Sequence, residues 1–344
     1  MDAMRTIDWE PEKNCIVMID QTVLPGEYKI IQCTAIDSLC EAIKSLRVRG
    51  APALGAAGGF GVALAAFLSS ASSLKELIED SEAAGKKITD TRPTAVNLSW
   101  GVNRVIRATE EAKNIKEARM FALDEAKAIA DEDVEKNMKL GEYGASLLED
   151  GDVVMTHCNA GRLACVDWGT ALGVIRSALA QGKDIKVISC ETRPLNQGSR
   201  ITTWELMEDK IPVRLITDSM SGHVMRKGMV DKVIVGADRI TQDAVFNKIG
   251  TYTHSVIAKE HGIPFYVAAP VSTFDFEHLE DEIEIELRKE DELRFFGSHQ
   301  IAPLNVEVYN PAFDATPMEN VSAIITENGV FIPPFLLDEV RIEV

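Results

Sequence analysis

Cys158 and Asp238 are the two side chains whose setting best suits acid–base chemistry. Cys158 follows the apolar run 152–156 in the segment 157–161 (HCNAG), and Asp238 ends the apolar run VIVGAD. A helix N-terminus close after a thiol favours its ionised form. A partly desolvated carboxyl has a raised pKa and suits proton donation. The structural alternatives are a space-filling Cys158 and an Asp238 that caps the next segment or pairs with Arg239.

The elements that must position these residues begin at Gly151. Short apolar runs (DVVMTH, DIKVISCE, PVRLITD, DKVIVGAD, PFYVAA) alternate with helical stretches at 165–180, near 199–209 and at 252–261, and a late run, AIITE, is expected to join them. This alternation predicts a doubly wound parallel sheet. Ligands of such sheets bind beyond the carboxyl ends of the strands, near the point where strand order reverses. The segments HCNAG, ETRP, Asp218 and GADR are therefore expected at one edge.

The first 150 residues predict a mainly helical domain with a short β-hairpin. Strands are expected at 15–20 and 28–33, around a Pro-Gly turn, and helices at 35–47, 51–67, 73–84, 94–107 and 115–148. The glycines between Gly55 and Gly61 predict close helix packing, and the apolar run 51–67 is expected to be a buried helix that falls short of a membrane span. The fold class is α/β: a helical domain, 1–150, and a Rossmann-like domain, 151–344.

The charge balance limits the partners. A formal charge of −18 and a pI of about 4.8 disfavour nucleic acid and anionic membranes. An anionic substrate would need cations concentrated locally. Three segments qualify, 49–52 (RGAP), 92–94 (RPT) and 247–251 (NKIGT), each expected at a helix start where backbone N–H groups can bind an anion.

Other chemistries find little support. Of the six cysteines, Cys158 is the functional candidate. The other five are expected in the core as reduced thiols. No CxxC pair occurs in the sequence. The six histidines show no metal-ligand spacing, and neither a GxGxxG nor a GxxxxGK[ST] fingerprint follows a strand. The N-terminal segment lacks a signal-peptide pattern, so a cytoplasmic location is expected. The acidic segment 277–292 is expected to be a solvated surface element.

The chain resembles the methylthioribose-1-phosphate isomerase family. The matching motifs run along nearly the whole chain: LPGEY, RGAPALGAA, TRPTAVNL, THCNAG, GTALGVIR, ETRPLNQGSR, TTWEL, IPVRLITDSM, VIVGADRI, NKIGTY, PFYVAAP, NPAFDATP and AIITENGV. The family is homologous to the regulatory subunits of the exchange factor for translation initiation factor 2 and to ribose-1,5-bisphosphate isomerase.

The resemblance implies conversion of 5-methylthioribose 1-phosphate to 5-methylthioribulose 1-phosphate, in methionine salvage, by a homodimer without a metal or organic cofactor. It implies that Cys158 and Asp238 are catalytic. The implied substrate-binding residues are Arg49, Gly50, Ala51, Arg92, Gln197, Asn247 and Lys248.

Three alternatives remain open on the sequence: a non-enzymatic regulatory subunit in translation initiation, and an isomerase for ribose 1,5-bisphosphate or for 5-deoxyribose 1-phosphate. The chain reads HCNAGRLACVDW where many family members read HCNTG followed by ALAT, and the segment 241–246 is one residue shorter than in the family. Arg162 and Trp168 therefore leave the 5-substituent of the sugar open, and Arg162 and Arg193 are candidate cations for a second phosphate.

Overall fold

The computed structural model describes residues 4–336 and residue 340, which form two compact units. One unit comprises Met1–Met138 and Gly161–Gly169, and the other comprises Lys139–Ala160 and Thr170–Val344. The division therefore falls at 138/139 rather than at the predicted 150/151. The segment Gly161–Gly169 returns to the first unit because Val166 hydrogen-bonds through its backbone to Thr6 and to the side chain of Asp133.

The first unit contains a small antiparallel sheet and helices. The sheet has the order β1-β2-β3. Its elements are β1 (Ile7–Glu10), β2 (Cys15–Ile19), β3 (Ile30–Cys33), α1 (Ile36–Lys44), α2 (Ala51–Leu68), α3 (Leu74–Thr89), α4 (Val96–Glu110) and α5 (Ile115–Ala145), the last of which continues into the second unit. The predicted hairpin and helices are confirmed, and most of their ends lie within a few residues of the predicted ends. Strand β1 was not predicted.

Helix α2 forms the centre of the first unit. A Cβ added to Gly58 would lie 2.5 Å from the carbonyl oxygen of Leu98, and one added to Gly101 would lie 2.0 Å from that of Gly55. The glycines thus allow α2 and α4 to approach backbone to backbone, as predicted. By length and composition α2 could cross a membrane, with a mean hydropathy of 1.7 over 18 residues, but 78% of it is buried inside the protein. That burial is typical of a core helix.

The second unit is built on a seven-stranded sheet. Its elements are β4 (Val153–Thr156), α6 (Ala171–Ala180), β5 (Lys186–Cys190), a π-helical turn (Gly198–Thr202), α7 (Thr203–Glu208), β6 (Val213–Ile216), α8 (Ser221–Arg226), β7 (Lys232–Val235), β8 (Arg239–Ile240), β9 (Ala244–Lys248), α9 (Thr251–Glu260), β10 (Phe265–Ala268), α10 (Asp291–Arg294), β11 (Phe295–Phe296), β12 (His299–Gln300), β13 (Phe313–Pro317), β14 (Ala323–Thr326) and β15 (Gly329–Phe331). The sheet order is β15-β14-β10-β7-β4-β5-β6, and every neighbouring pair except β14–β15 is parallel.

The inner strands of this sheet, β4, β5, β7, β10 and β14, are buried on both faces. Met155 and Val233 belong to one hydrophobic cluster, together with residues of α8 and α9. Their chain neighbours Val154 and Ile234 belong to another, together with residues of α6 and α7. This is why the strands read as continuous apolar runs rather than as alternating ones. Strands β8, β9 and β13 form a separate antiparallel sheet that the sequence analysis did not foresee.

The helix expected at 165–180 begins at Ala171 instead. A short 3₁₀ turn at Arg162–Ala164 precedes a loop that Gly161 and Gly169 close through a β-bridge. Gly169 has a φ of +86°, and a Cβ there would lie 2.4 Å from the carbonyl carbon of Gly161. Positive φ and close backbone approach interrupt the helical pattern. The acidic segment 277–292 is half-buried or exposed at each position, as predicted.

Candidate active site

Cys158 and Asp238 follow two neighbouring strands in the middle of the sheet. Strand β4 pairs in parallel with β7, and Cys158 lies two residues after β4 while Asp238 lies three residues after β7. From β4 the chain moves to β5 and β6 on one side and then to β7, β10 and β14 on the other, so strand order reverses between β4 and β7. A Cβ on Gly236 would lie 2.7 Å from the Cβ of Ala160, so the two loops touch. This is the edge where open α/β sheets bind ligands.

Cys158 is held in a left-handed backbone conformation, with a φ of +64°. Its N–H donates to Oγ1 of Thr192 at 2.8 Å, and its carbonyl oxygen accepts from Oγ1 of Thr202 at 2.6 Å. Thr192 also has a positive φ, +66°. Such conformations cost about 1–3 kcal/mol each and persist where the surroundings fix them. The loop therefore holds the Cys158 main chain from both sides.

The residue after Cys158 connects this loop to a buried ion pair. Asn159 Nδ2 donates to Oγ1 of Thr202 at 3.2 Å and to Oε1 of Glu205 at 3.0 Å. Glu205 is fully buried, and its other carboxylate oxygen accepts from the Arg176 guanidinium at 2.9 Å. A buried carboxylate paired in this way is costly to disturb. The sequence analysis did not single out Thr202 or Glu205, although both lie within the TTWEL motif.

The expected effect of a helix N-terminus on Cys158 loses its basis, because the next α-helix along the chain begins at Ala171, not at Cys165. The Cys158 residue itself is 8% exposed, and its place is set by the hydrogen bonds of Thr192 and Thr202. Core burial is confirmed for the five other cysteines, and all six carry free thiols.

Asp238 lies at the rim of the sheet. Its N–H donates to the carbonyl oxygen of Phe246 at 2.9 Å, and its neighbour Arg239 forms an ion pair with Asp275 at 2.8 Å. The expectation of a partly desolvated carboxyl is wrong for the chain alone, because Asp238 is exposed. Desolvation at this position would require a bound ligand.

Gln197 and Lys248 line one small cavity of the second unit, next to Arg288 and Glu292. Gln197 is 5% exposed, and its Oε1 has no hydrogen-bond partner within residues 4–336. Lys248 Nζ donates to the carbonyl oxygen of Ala312 at 3.0 Å. A buried acceptor of this kind ordinarily has a hydrogen-bond partner, either a protein group or an ordered water.

Asn247 and Lys248 were expected at the start of the following helix. That expectation is wrong, because both residues end strand β9. The helix α9 begins at Thr251 after Gly250, whose φ is +106°. Asn247 is buried, and its Nδ2 donates to Oγ1 of Thr251 at 3.0 Å. The strand extends to Lys248 because β9 pairs with β13, a partnership invisible in the local sequence.

Arg49, Gly50, Ala51 and Arg92 belong to the first unit. Gly50 is the N-cap of α2 with a φ of +93°, and a Cβ there would lie 2.2 Å from the carbonyl oxygen of Ala164. The RGAP segment therefore starts a helix, as predicted. Arg92 precedes α4 by four residues, so Pro93 lies in a turn before the helix rather than in its first turn. The binding roles of these residues stay predictions.

His157 is engaged at both ring nitrogens by groups other than the catalytic candidates. Its Nε2 lies 2.9 Å from the carbonyl oxygen of Ile249, and its Nδ1 lies 3.1 Å from Nε2 of His254. Burial lowers the pKa of His157 to about 4 and that of His254 to about 3. Both rings are therefore neutral at pH 7.

These features define a doubly wound α/β protein in which a buried thiol, Cys158, and an exposed carboxyl, Asp238, follow neighbouring strands where strand order reverses. The chain belongs to the Initiation factor 2 subunit family, whose pattern matches residues 47–333.

Similar proteins carry two kinds of name. A Methanosarcina acetivorans protein, provisionally named methylthioribose-1-phosphate isomerase, is 67% identical over 341 residues, covering 99% of this chain and 98% of that protein. The crystal structure of 5-methylthioribose 1-phosphate isomerase from Pyrococcus horikoshii OT3 is 44% identical, with a TM-score of 0.93 and coverage of 99% and 97%. The crystal structure of translation initiation factor eIF-2B, subunit delta, from A. fulgidus is 60% identical, with a TM-score of 0.91 and coverage of 98% and 99%.

Proposed function

We propose that this protein is an aldose–ketose isomerase that converts 5-methylthioribose 1-phosphate to 5-methylthioribulose 1-phosphate, as a cytoplasmic homodimer serving methionine salvage. Relatives named for this activity are similar to the chain over nearly its full length. The observation that carries the proposal is the position of Cys158 and Asp238 after adjacent strands at the reversal of strand order.

The first chemical demand of this reaction is ring opening. An aldose phosphorylated at C1 cannot open to a free aldehyde. In the proposed mechanism Asp238 gives a proton to the ring oxygen, the bond from C1 to that oxygen breaks, and its electron pair stays on the oxygen. C1 then carries positive charge that its remaining ester oxygen shares. Asp238 is exposed in the free chain, so substrate would have to cover it to raise its pKa.

The second demand is the transfer of hydrogen from C2 to C1. In one route the Cys158 thiolate removes the C2 proton, an enol forms between C1 and C2, and C1 is then protonated. In the other route hydride moves directly from C2 to C1, and Cys158 stabilises the developing charge. Loss of the C2 hydroxyl proton in either route yields the ketone and balances the proton given to the ring oxygen. Neither route requires an organic cofactor.

The third demand is retention of the C1 phosphate during ring opening. We assign phosphate and sugar binding to Arg49, Gly50, Ala51, Arg92, Gln197, Asn247 and Lys248. The support is chemical: guanidinium and ammonium groups and helix-start N–H groups bind phosphate. The unpaired Oε1 of Gln197 supplies an acceptor for a sugar hydroxyl.

The test is a comparison of substrates by NMR. Purified protein is incubated in D₂O with 5-methylthioribose 1-phosphate, ribose 1,5-bisphosphate or 5-deoxyribose 1-phosphate, and ketose formation is followed. The proposal predicts the highest kcat/KM for the methylthio sugar. Deuterium at C1 of the product would select the proton-abstraction route. Faster turnover of either other sugar would reassign the substrate.

A second candidate function is that of a non-enzymatic regulatory subunit in translation initiation. The relative named eIF-2B, subunit delta, at 60% identity favours it. The combination of Cys158 and Asp238 at one sheet edge favours the enzyme, because a scaffold has no use for it. Co-purification with initiation factor 2, together with no turnover of the three sugars, would support the regulatory function.

A further inference from the structure

A cluster of three buried side chains and one half-buried aspartate lies next to the Cys158 loop, and the proposed isomerase mechanism does not use it. Its members come from four different elements, which explains why no metal-ligand spacing is visible in the sequence. The members follow or end strands β4, β5 and β6 or lie on helix α9, and are His157, Cys190, Asp218 and His254. One ligand atom from each lies within 4.8 Å of the others.

We infer that this four-residue cluster binds one zinc ion. Zinc takes four ligands in a tetrahedron, with bonds of about 2.0–2.3 Å to nitrogen, oxygen and sulfur, which places ligand atoms roughly 3.3–3.8 Å apart. Nδ1 of His157 lies 3.7 Å from Oδ1 of Asp218 and 3.1 Å from Nε2 of His254. Small side-chain adjustments therefore suffice to surround an ion.

The surroundings already orient two of the ligands. Because a carbonyl oxygen only accepts, the contact between His157 Nε2 and Ile249 places the proton on Nε2 and leaves the Nδ1 lone pair facing the cluster. Asp218 accepts the N–H groups of Thr192 and Arg193 at 2.8 and 2.7 Å, one on each oxygen. Each oxygen keeps a second lone pair, so Oδ1 can also bind metal.

The other two ligands change protonation when the ion binds. Nδ1 of His254 is buried and has no hydrogen-bond partner among the described residues, so its ring can move the proton from Nε2 to Nδ1 when Nε2 binds metal. Cys190 is fully buried, and loss of its thiol proton provides the thiolate that zinc prefers. Thiolate and carboxylate together neutralise the two positive charges of the ion.

The donor set predicts a structural ion rather than a catalytic one. Four protein ligands leave no open position for water or substrate. Thr192, whose N–H binds Asp218, also accepts the N–H of Cys158. A zinc ion here would therefore stabilise the loop that positions the thiol.

The test uses tag-free full-length protein freed of metal with a chelator. Zinc binding is measured by calorimetry, and Co²⁺ is added in parallel because a bound thiolate gives a sulfur-to-cobalt charge-transfer band. Cys190→Ala removes the thiolate, and Cys33→Ala, at another buried free thiol, is the matched control. His254→Gln is a second variant in case Cys190→Ala does not fold, which circular dichroism would show.

We expect one equivalent of zinc in the wild type and in Cys33→Ala, with a raised Tm and the charge-transfer band. Cys190→Ala should lose the band, and both cluster variants should bind zinc at least about 10-fold more weakly. Absence of stoichiometric zinc binding by the wild type would overturn the inference, as would a charge-transfer band that survives in folded Cys190→Ala. Neither result bears on turnover of the sugar, which is measured separately.

Discussion

The main-chain N–H of Cys158 donates to the side-chain oxygen of Thr192 across 2.8 Å, and both residues adopt left-handed backbone conformations. The two residues lie just past the neighbouring parallel strands β4 and β5. A threonine in this conformation is unfavourable by itself because its side chain is β-branched. The hydrogen bond therefore couples two strained loops at the candidate active site.

Thr192→Val should remove the acceptor while keeping the shape of the side chain. A buried N–H left unpaired costs about 1–3 kcal/mol, and small displacements of reacting groups cost up to about 10²-fold in rate. We therefore expect kcat to fall about 10- to 100-fold with KM little changed, and Thr192→Ser to recover most of the loss. Steady-state kinetics on the three proteins measure this.

Thr109→Val is the matched control for Thr192→Val. Thr109 is buried in the first unit, and its Oγ1 donates to Ile106 one helical turn earlier. Its replacement should change kcat little. Equal kinetic losses in the two valine variants, or a Thr192→Ser variant as slow as Thr192→Val, would argue that Thr192 only contributes to stability.

Gly101→Ala should weaken the packing of α2 on α4. The new Cβ would lie 2.0 Å from the carbonyl oxygen of Gly55, which is backbone and cannot rotate away. Overpacking of this kind costs about 1–3 kcal/mol. Gly222→Ala in α8 is the control, because its Cβ meets nothing closer than 3.5 Å, and alanine there should be neutral or stabilising.

Unfolding in urea measures both glycine variants. The expected result is a lower midpoint for Gly101→Ala and an unchanged or higher one for Gly222→Ala. Equal stability of Gly101→Ala and the wild type would mean that the two helices can separate without cost.

Asp133 should make the protein less stable as the pH rises toward neutral. Its carboxylate accepts the Val166 N–H at 2.7 Å, and burial raises its pKa to about 7, against about 3.9 in an unfolded chain. The folded state then binds the proton more tightly than the unfolded state. The free energy of unfolding therefore falls as pH rises from about 4 to about 7 and is flat above.

Asp133→Asn removes this titration. Between pH 5 and pH 7.5 the free energy of unfolding of the variant should therefore decrease less than that of the wild type. Urea unfolding at the two pH values compares the slopes. Identical pH dependence in the two proteins would show that the Asp133 pKa is the same folded and unfolded.

The sequence sufficed for features that depend on local patterns. The apolar runs located β4, β5, β6, β7, β10 and β14, and the Gly55–Gly61 pattern located the close packing of α2. It failed where distant partners decide the structure. Asn247 and Lys248 lie in a strand because β13, more than 60 residues away, pairs with them. The exposure of Asp238 likewise depends on how its loop leaves the sheet, which no local pattern encodes.

The features of the candidate site likewise divide into those that the sequence could predict and those that it could not. Cys158 and Asp238 could be proposed because each follows an apolar run and because the motifs resemble a known family. The supporting contacts could not be foreseen, since Thr202 and Glu205 are 44 and 46 residues from the groups they bind, Cys158 and Asn159. Tertiary contacts of this length are set by the order of strands in the sheet.

The most direct test of the central claim is the turnover of 5-methylthioribose 1-phosphate by Cys158→Ser and Asp238→Asn. Ketose formation is followed by NMR, with Cys33→Ala as the control and circular dichroism to confirm folding. We predict that kcat falls at least about 10²-fold in each site variant and stays near the wild-type value in Cys33→Ala. Near-normal turnover in either folded site variant would contradict the assignment of that residue to the chemistry.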